Sequence, residues 1–275
     1  MDKLRIAFLG TGSMGGAILK GLISAGHPKE LLSATTKSEQ SAKAWRDLGI
    51  SALSKEIAAD ANSLMAGDAD LIVLGVKPKQ VSGVLAELVG EIGRNAVVIS
   101  MAAGVELKTM AAVIENPNLI RTMPNTPALV GRGVTGLAAA ATASKDAIIA
   151  ATQLFEAVGE VVVTTEDKIN ALSAISGSGP AWLFYIIEQW EKVAIEAGFS
   201  ERDAKLLVRS TISGSAELLE QSGQEPDVLR RNVTSPGGTT ERIISTFELS
   251  DLHGIFAASL EAAVKRAEEL AREAE

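Results

Sequence analysis

With 275 residues, 47% of them apolar and 22% charged, the chain can hold one large domain or two ordinary ones around a real core, and extensive disorder is excluded. A formal charge of −8 speaks against a nucleic-acid partner, and the absence of cysteine excludes disulfides, thiol nucleophiles and thiolate metal sites. No stretch approaches the about 18 uninterrupted apolar residues of a membrane span, and the first residues carry no signal-peptide pattern, so the expectation is a cytoplasmic protein with no membrane partner.

The first strand is expected over Leu4 to Leu9. It breaks at Gly10-x-Gly12-x-x-Gly15, after which Ala17, Ile18, Leu19, Leu22 and Ile23 repeat at helical spacing. Strand, glycine turn and helix form a dinucleotide-binding unit. Gly10 makes the tight turn, Gly12 admits a pyrophosphate to the backbone, Gly15 lets helix and strand pack closely, and the helix start offers free N–H groups. Three glycines can also simply make a tight connection, but their place between an apolar strand and an apolar-striped helix favours a cofactor. Gly26-His27-Pro28 closes the helix. His27 and His253 lie far apart and near no acidic cluster, so they read as surface or turn residues and no metal site is expected. A second strand over Leu31 to Thr36 runs into Thr35-Thr36-Lys37-Ser38, about 20 residues past the glycines, where an NAD-binding unit puts an acid on the ribose 2′-hydroxyl. Hydroxyls with a cation suit a 2′-phosphate instead, which points to NADP.

Ser41 to Leu48 and, less regularly, Asp60 to Ala69 read as helices. Leu71 to Val76 is fully apolar, the signature of a parallel strand covered on both faces, and Pro78 in Lys77-Pro78-Lys79-Gln80 stops it. A helix over Val81 to Ile92 and a strand over Ala96 to Ser100 lead to Met101-Ala102-Ala103-Gly104. Those small side chains either leave room for a flat ring at the carboxyl edge of the sheet or simply pack tightly. Leu107 to Ile114 is helical, and Asn118 to Met123 leads into Pro124-Asn125-Thr126-Pro127, which continues neither strand nor helix. Val134 to Ala141, a helix over Lys145 to Val158 and Glu160 to Thr165 complete an alternation that implies a doubly wound parallel sheet.

From Glu166 onward no strand is expected. Helical candidates are Asp167 to Ile175, Pro180 to Ala197, Glu201 to Gln221, Asp227 to Arg231, Thr240 to Glu248 and Leu252 to Arg272. The last carries an apolar stripe through Phe256, Leu260, Ala263, Val264, Ala267, Leu270 and Ala271. The chain therefore reads as an α/β domain over 1–165 and an all-helical domain over 166–275 that packs against a copy of itself. Two segments interrupt the helices, Ser176-Gly177-Ser178-Gly179-Pro180 and Thr234-Ser235-Pro236-Gly237-Gly238-Thr239-Thr240-Glu241. Each reads as a helix start with glycines and capping hydroxyls, suited to ordinary N-capping or to a substrate carboxylate. The chain offers no cysteine, no placed histidine and no metal constellation. A ketone, which needs a strong proton donor, is poorly served, whereas a protonated C=N already carries the charge that draws hydride. Thr239 or Thr240 could orient such an acceptor, and positioning alone can lower a barrier by about 7–11 kcal/mol.

Val76-Lys77-Pro78, Ser100-Met101-Ala102-Ala103-Gly104, Arg121-Thr122-Met123-Pro124-Asn125-Thr126-Pro127, Ser176-Gly177-Ser178-Gly179-Pro180 and Ser235-Pro236-Gly237-Gly238-Thr239-Thr240 occur in that order. Together they resemble the pyrroline-5-carboxylate reductase family, from the first glycine turn to the last helix. The resemblance implies an N-terminal Rossmann domain, a helical C-terminal dimerisation domain, and a homodimer or a larger ring of dimers. It implies reduction of 1-pyrroline-5-carboxylate to L-proline, the last step of proline biosynthesis, with NADPH preferred or NADH. Cofactor contacts would fall on Leu9, Gly10, Thr11, Gly12, Ser13 and Met14, on Thr36 and Lys37 at the 2′ position, and on Asn62. They would continue on Gly75, Val76, Lys77 and Pro78, and on Met101, Ala102 and Ala103. Glu166, Asn232, Ser235, Gly238, Thr239 and Thr240 would line the substrate, with Thr240 as the catalytic residue that hydrogen-bonds the ring nitrogen. Loop amides over 238–240 would hold the carboxylate. The sequence departs from the family at Ser13-Met14, where many members have Asn and Ala, and at Arg242-Ile243, where small residues are usual.

Two other readings compete. A β-hydroxy-acid dehydrogenase of similar architecture would place a catalytic lysine on a helix of the second domain, and neither Lys168 nor Lys192 sits in that motif. A non-catalytic NADP(H)-sensing protein would need the cofactor turn but not the SPGGTT segment.

Overall fold

The computed structural model describes residues 3–274. It divides into two compact units, one formed by the chain up to Ser178 together with the end of the last helix from Ala263, the other by Gly179–Ala262.

The first unit is an eight-stranded sheet in the order β3-β2-β1-β4-β5-β6-β7-β8. In chain order its elements are β1 (Ile6–Leu9), α1 (Ser13–Ser24), β2 (Leu32–Thr36), α2 (Glu39–Asp47), β3 (Ser51–Ser54), α3 (Ala61–Ala66), β4 (Leu71–Leu74), α4 (Val81–Glu87), β5 (Val97–Ser100), α5 (Leu107–Ala111), β6 (Leu119–Met123), β7 (Gly133–Ala139), α6 (Lys145–Glu156), β8 (Gly159–Val163) and α7 (Ile169–Leu172). β1, β4 and β5 are buried at every position because helices cover both faces of the sheet. On one face Phe8, Val73 and Ile99 pack with Ile18, Leu22 and Phe155; on the other Ala7, Ile72 and Val98 pack with Val84, Leu85 and Met110. This is the doubly wound Rossmann architecture expected, with one departure from an all-parallel sheet. β7 runs antiparallel to β6. Only residues 124–132 join them, including a 3-10 turn over Thr126–Val130, and a parallel return needs a crossover of about a dozen residues or more.

Three further differences from the sequence reading have physical causes. β3 lies at the sheet edge and is short and serine-flanked, so it lacks the apolar run that marked the other strands. His27 is buried at 6% exposure with Nε2 3.1 Å from the Leu4 carbonyl oxygen, a core partner of the first strand rather than a surface group. The Ser176–Pro180 stretch is not an interrupting loop. A π turn over Ser173–Gly177 carries the helical path onward, the Ser178 N–H donates to the Ser173 carbonyl at 2.9 Å, and the next helix begins one residue later.

The second unit is helical: α8 (Gly179–Glu196), α9 (Glu201–Ser222), α10 (Pro226–Asn232), α11 (Thr239–Leu249) and the first part of α12 (Leu252–Ala274). Arg209 of α9 pairs with Glu191 of α8 at 2.7 Å, and Trp182 stacks on Phe256 with ring centroids 5.6 Å apart. α8 has no buried residue, and Phe184, Tyr185 and Val193 are each about 60% exposed on the single chain. Among the described residues no helix is long and apolar enough to cross a membrane.

Candidate functional site

The order β2-β1-β4 puts a topological switch point between β1 and β4, the place where an open α/β sheet binds ligands beyond its carboxyl ends. Both strands end there in glycine. The Gly75 N–H donates to the Leu9 carbonyl at 2.9 Å, and a Cβ on Gly75 would lie 2.1 Å from the Gly10 carbonyl oxygen. Gly10 itself has φ +87°, and a Cβ there would meet the Val76 side chain at 2.7 Å. The two turns cross so closely that neither tolerates a side chain. Beyond them the space opens, since a Cβ on Gly12 would touch nothing within 4 Å. Gly12 precedes α1 and no side chain caps that helix, so its first amides remain available. Ser13 is exposed and Met14 half-buried at this helix start.

Beneath the turn lies a hydrogen-bonded chain. The Gly10 N–H donates to Thr35 Oγ1 at 3.0 Å, and Thr35 Oγ1–H donates to Asn62 Oδ1 at 2.8 Å. Asn62 Nδ2 donates to Glu87 at 2.8 Å, and Lys55 pairs with the same carboxylate at 2.9 Å. Asn62 is therefore buried under the turn, bonded to Thr35 and Glu87, and Thr35 is the residue that anchors Gly10. Thr11 is tied to the same strand through its N–H to the Thr35 carbonyl at 3.1 Å. Thr36 is also buried, its hydroxyl donating to the Ser38 carbonyl at 2.8 Å, whereas Lys37 is exposed and makes no hydrogen bond or ion pair with the described residues. The neighbouring acids are committed elsewhere. Glu39 bonds Arg46 and Ser54, and the Arg46 guanidinium holds its carboxyl below the usual carboxylate range. Glu56 accepts the Glu39 N–H at 2.8 Å.

Val76 and Lys77 follow β4, and Pro78 opens a 3-10 turn. Met101, Ala102 and Ala103 follow β5, where the Met101 N–H donates to the Leu74 carbonyl at 3.3 Å and the Ala102 N–H to Ser100 Oγ at 3.2 Å. Ala102 to Gly104 line a cavity of about 250 Å³ together with Arg121, Asn170 and Ser173. Glu166 stands nearby: its Oε1 accepts the Leu107 N–H at 2.7 Å and Arg121 Nη1 at 3.3 Å, while Arg121 Nη2 donates to Asn170 at 3.0 Å. Arg121 and Asn170 belong to this edge of the sheet although neither stood among the expected site residues, and Thr35, read from the sequence only as one of the hydroxyls near a 2′-phosphate, anchors Gly10. A lone charge in the apolar run of β6 was the available signal for Arg121.

Leu9 to Met14, Thr36, Lys37, Asn62, Gly75 to Pro78, Met101 to Ala103 and Glu166 thus all belong to the first unit. Asn232, Ser235, Gly238, Thr239 and Thr240 belong to the second. Asn232 ends α10, exposed, with Nδ2 3.5 Å from Gln224 Oε1. The segment after it does not cap α11 with a hydroxyl, contrary to expectation. Gly238 occupies the cap position, its N–H donating to the Ser235 carbonyl at 2.9 Å, and the Gly237 N–H donates to Glu241 at 2.8 Å. The hydroxyls of Ser235, Thr239 and Thr240 make no hydrogen bond within the described residues. Among those residues no group of three or more acids or histidines is placed to hold a metal.

Comparison with known proteins covers both units. Residues 166–270 match the family model described as pyrroline-5-carboxylate reductase dimerisation, and residues 5–104 match one described as NADP oxidoreductase coenzyme F420-dependent. A pyrroline-5-carboxylate reductase of Vibrio alginolyticus is 38% identical over 98% of either chain. The structure of a pyrroline-5-carboxylate reductase from Coxiella burnetii superposes with a TM-score of 0.91 at 36% identity, covering 97% of this chain and 98% of that one. A Plasmodium falciparum pyrroline carboxylate reductase with NADP bound has a TM-score of 0.84 at 26% identity over 98% of this chain and 99% of that one. A similarity of this strength, running from the crossed glycine turns to the last helix, means that the chain belongs to the pyrroline-5-carboxylate reductase family.

Proposed function

We propose that this protein reduces the C=N bond of 1-pyrroline-5-carboxylate to give L-proline, the last step of proline biosynthesis, using NADPH in preference to NADH. The observation that carries the reading is the full-length identity of 38% to the Vibrio alginolyticus reductase. The geometry of the first unit supports this cofactor, since the close crossing of Gly10 and Gly75 and the open space at Gly12 suit the approach of a pyrophosphate to the backbone. When bound, NADPH supplies the hydride. Leu9 to Met14, which lead into the uncapped start of α1, would hold the pyrophosphate, and Thr36 and Lys37 would receive the 2′-phosphate. Asn62 supports the turn, and Gly75 to Pro78 with Met101 to Ala103 border the nicotinamide end.

Glu166, Asn232, Ser235, Gly238, Thr239 and Thr240 line the substrate in this reading. Amides over 238–240 take its carboxylate, and the Thr240 hydroxyl, which makes no hydrogen bond within the described residues, meets the ring nitrogen. The substrate C=N is protonated in solution, so the site needs orientation more than a strong acid. Residues 1–165 serve as the cofactor domain and 166–275 as the substrate and dimerisation domain of a cytoplasmic homodimer or ring of dimers. The test is oxidation of NADPH with pyrroline-5-carboxylate, run beside reduction of NADP with a 3-hydroxy acid. Turnover of the imine alone is expected, and turnover of the hydroxy acid alone would replace the reading with a β-hydroxy-acid dehydrogenase. Thr240→Ala should lower kcat by about 10- to 100-fold, the worth of one hydrogen bond to a charged group.

A further inference from the structure

Arg121 is the one strongly charged side chain in β6, and it is only 3% exposed. Burying a guanidinium is costly unless its donors are satisfied, and an apolar side chain in the same strand would cost nothing of that kind. Its partners are unusual in where they lead. Nη1 donates to Glu166 Oε1 at 3.3 Å, and the same oxygen accepts the N–H of Leu107 at 2.7 Å. Leu107 opens α5, immediately after the segment Met101 to Glu106 that leaves β5. Nη2 donates to Asn170 of α7 at 3.0 Å. Arg121, Asn170, Ala102, Ala103 and Gly104 line the same cavity of about 250 Å³.

The segment after β5 is thereby held at both ends. At its start the Met101 and Ala102 amides are bonded to Leu74 and Ser100, and at its finish the Leu107 amide is bonded to the carboxylate that Arg121 holds. Between the two ends lie the small residues that border the nicotinamide in the proposed reaction. Glu166 Oε2 makes no hydrogen bond within the described residues, so the arginine fixes one oxygen of Glu166 and leaves the other open. We infer that Arg121 is a positioning residue for hydride transfer, acting through Glu166 and Leu107 to set the shape of the Met101–Gly104 wall. The inference rests on the reductase reading above. It predicts a loss that appears in the chemical step rather than in cofactor affinity, because a displacement on the order of 1 Å at reacting atoms costs about 100-fold in rate.

The experiment uses the full chain with Arg121→Met, Arg121→Lys and Glu166→Gln. For Arg121→Met the expected result is a kcat lower by about 10- to 100-fold, with the NADPH KM changed by less than about threefold. The primary isotope effect measured with deuterated NADPH should rise as hydride transfer becomes rate-limiting. Arg121→Lys keeps the charge but not the fork and should fall between this variant and the wild type. In a Glu166→Gln background Arg121→Met should cost less than it does in the wild type, since the arginine acts through the carboxylate that this change alters. Without cofactor, amide exchange over 101–107 should quicken in Arg121→Met while β1 and β4 keep their protection. Should Arg121→Met not fold, Arg121→Lys and Glu166→Gln are read by the same two measurements. An unchanged isotope effect with slower turnover, or unchanged exchange over 101–107, makes Arg121 merely structural and overturns the inference. A wild type that leaves pyrroline-5-carboxylate untouched overturns the reductase reading itself, and with it any role in hydride transfer.

Discussion

The sheet unit and the helical unit solve the problem of burial in opposite ways. In the first, each crossover helix lies on the strands it connects, so Phe8, Ile18, Ile72 and Phe155 reach 0% exposure within one chain. In the second, apolar side chains run along α8 with no local cover: Phe184 is 64% exposed, Trp190 44% and Val193 59%. Ala204 and Val208 are the apolar residues of α9 that are buried. An alternating β/α stretch completes its own core as it folds. A helical stretch this apolar on its outer faces does not, and its remaining surface must be covered by something outside the single chain. The match of residues 166–270 to a dimerisation family agrees with a second copy as that cover.

The strongest way to break this contrast is to place a charge on the uncovered face. Phe184→Glu should convert a dimer or larger assembly to monomer in light scattering and remove most of the activity. Truncating an aromatic anchor at the centre of an interface costs about 2–4 kcal/mol, and adding a charge costs more. The sheet unit should survive, so a thermal scan should keep a transition from it while the helical signal melts early. A wild type that is monomeric at micromolar concentration, with one cooperative transition, would end the comparison.

The contrast also explains how much could be read in advance. β1, β4 and β5 were legible because strands buried on both faces must be apolar throughout, and Gly10 and Gly15 were legible because their close backbone approaches admit little else, whereas Gly12 stands in open space. β3, at the edge, carries no such mark. The antiparallel direction of β7 was hidden because periodicity is the same in either direction and only the length of the connection decides it. The π turn was mistaken for a loop since serine and glycine read as breakers, while the Ser178 to Ser173 hydrogen bond that carries the helix on is a backbone property. Thr35 and Asn62 lie 27 positions apart, and Arg121 and Glu166 lie 45 apart, so their pairing exists only once the sheet brings them together.

A smaller effect tests the self-sufficiency of the sheet unit. Gly75→Ala puts a Cβ 2.1 Å from the Gly10 carbonyl oxygen, a backbone atom that can move only by opening the glycine crossing. Overpacking of this kind costs about 1–3 kcal/mol. The expected outcome is a lowered melting temperature of the sheet transition and weakened NADPH binding by titration, with the oligomer unchanged. A variant that loses its oligomer instead would mean that the two units are not independent in the way their cores imply.

Within the cofactor site the next effect leaves stability alone. Lys37 is exposed and makes no hydrogen bond or ion pair with the described residues, and the nearby carboxylates of Glu39 and Glu56 are committed to protein donors. Lys37→Ala should raise the KM for NADPH by about tenfold, the worth of one charge-assisted hydrogen bond, and leave that for NADH unchanged. Because the group is exposed, the difference should shrink toward 1 M salt, where the Debye length is about 3 Å. Equal effects on the two cofactors would remove Lys37 from the 2′ position.

The smallest effect belongs to the helical unit and concerns its few polar ties. Glu191 of α8 accepts Arg209 of α9 at 2.7 Å, and its side chain is 15% exposed against 62% for the arginine. The Arg209 hydrogen bond is the main cause that holds the Glu191 carboxyl below the usual carboxylate range; desolvation and the Glu201 charge oppose it, and Lys205 adds to it. The same contact raises the Arg209 guanidinium further. A carboxyl whose value is depressed on folding contributes stability that is fully present above its unfolded value and is lost as the pH falls through the folded one. Glu191→Gln should therefore melt slightly below the wild type at neutral pH, with a gap that is flat down to about pH 5 and closes as the solution is made more acidic. Melting curves of both proteins across that range provide the measurement. A gap that persists unchanged at acid pH would mean that the carboxylate holds α8 to α9 by shape rather than charge, leaving apolar contact as the bond between these helices.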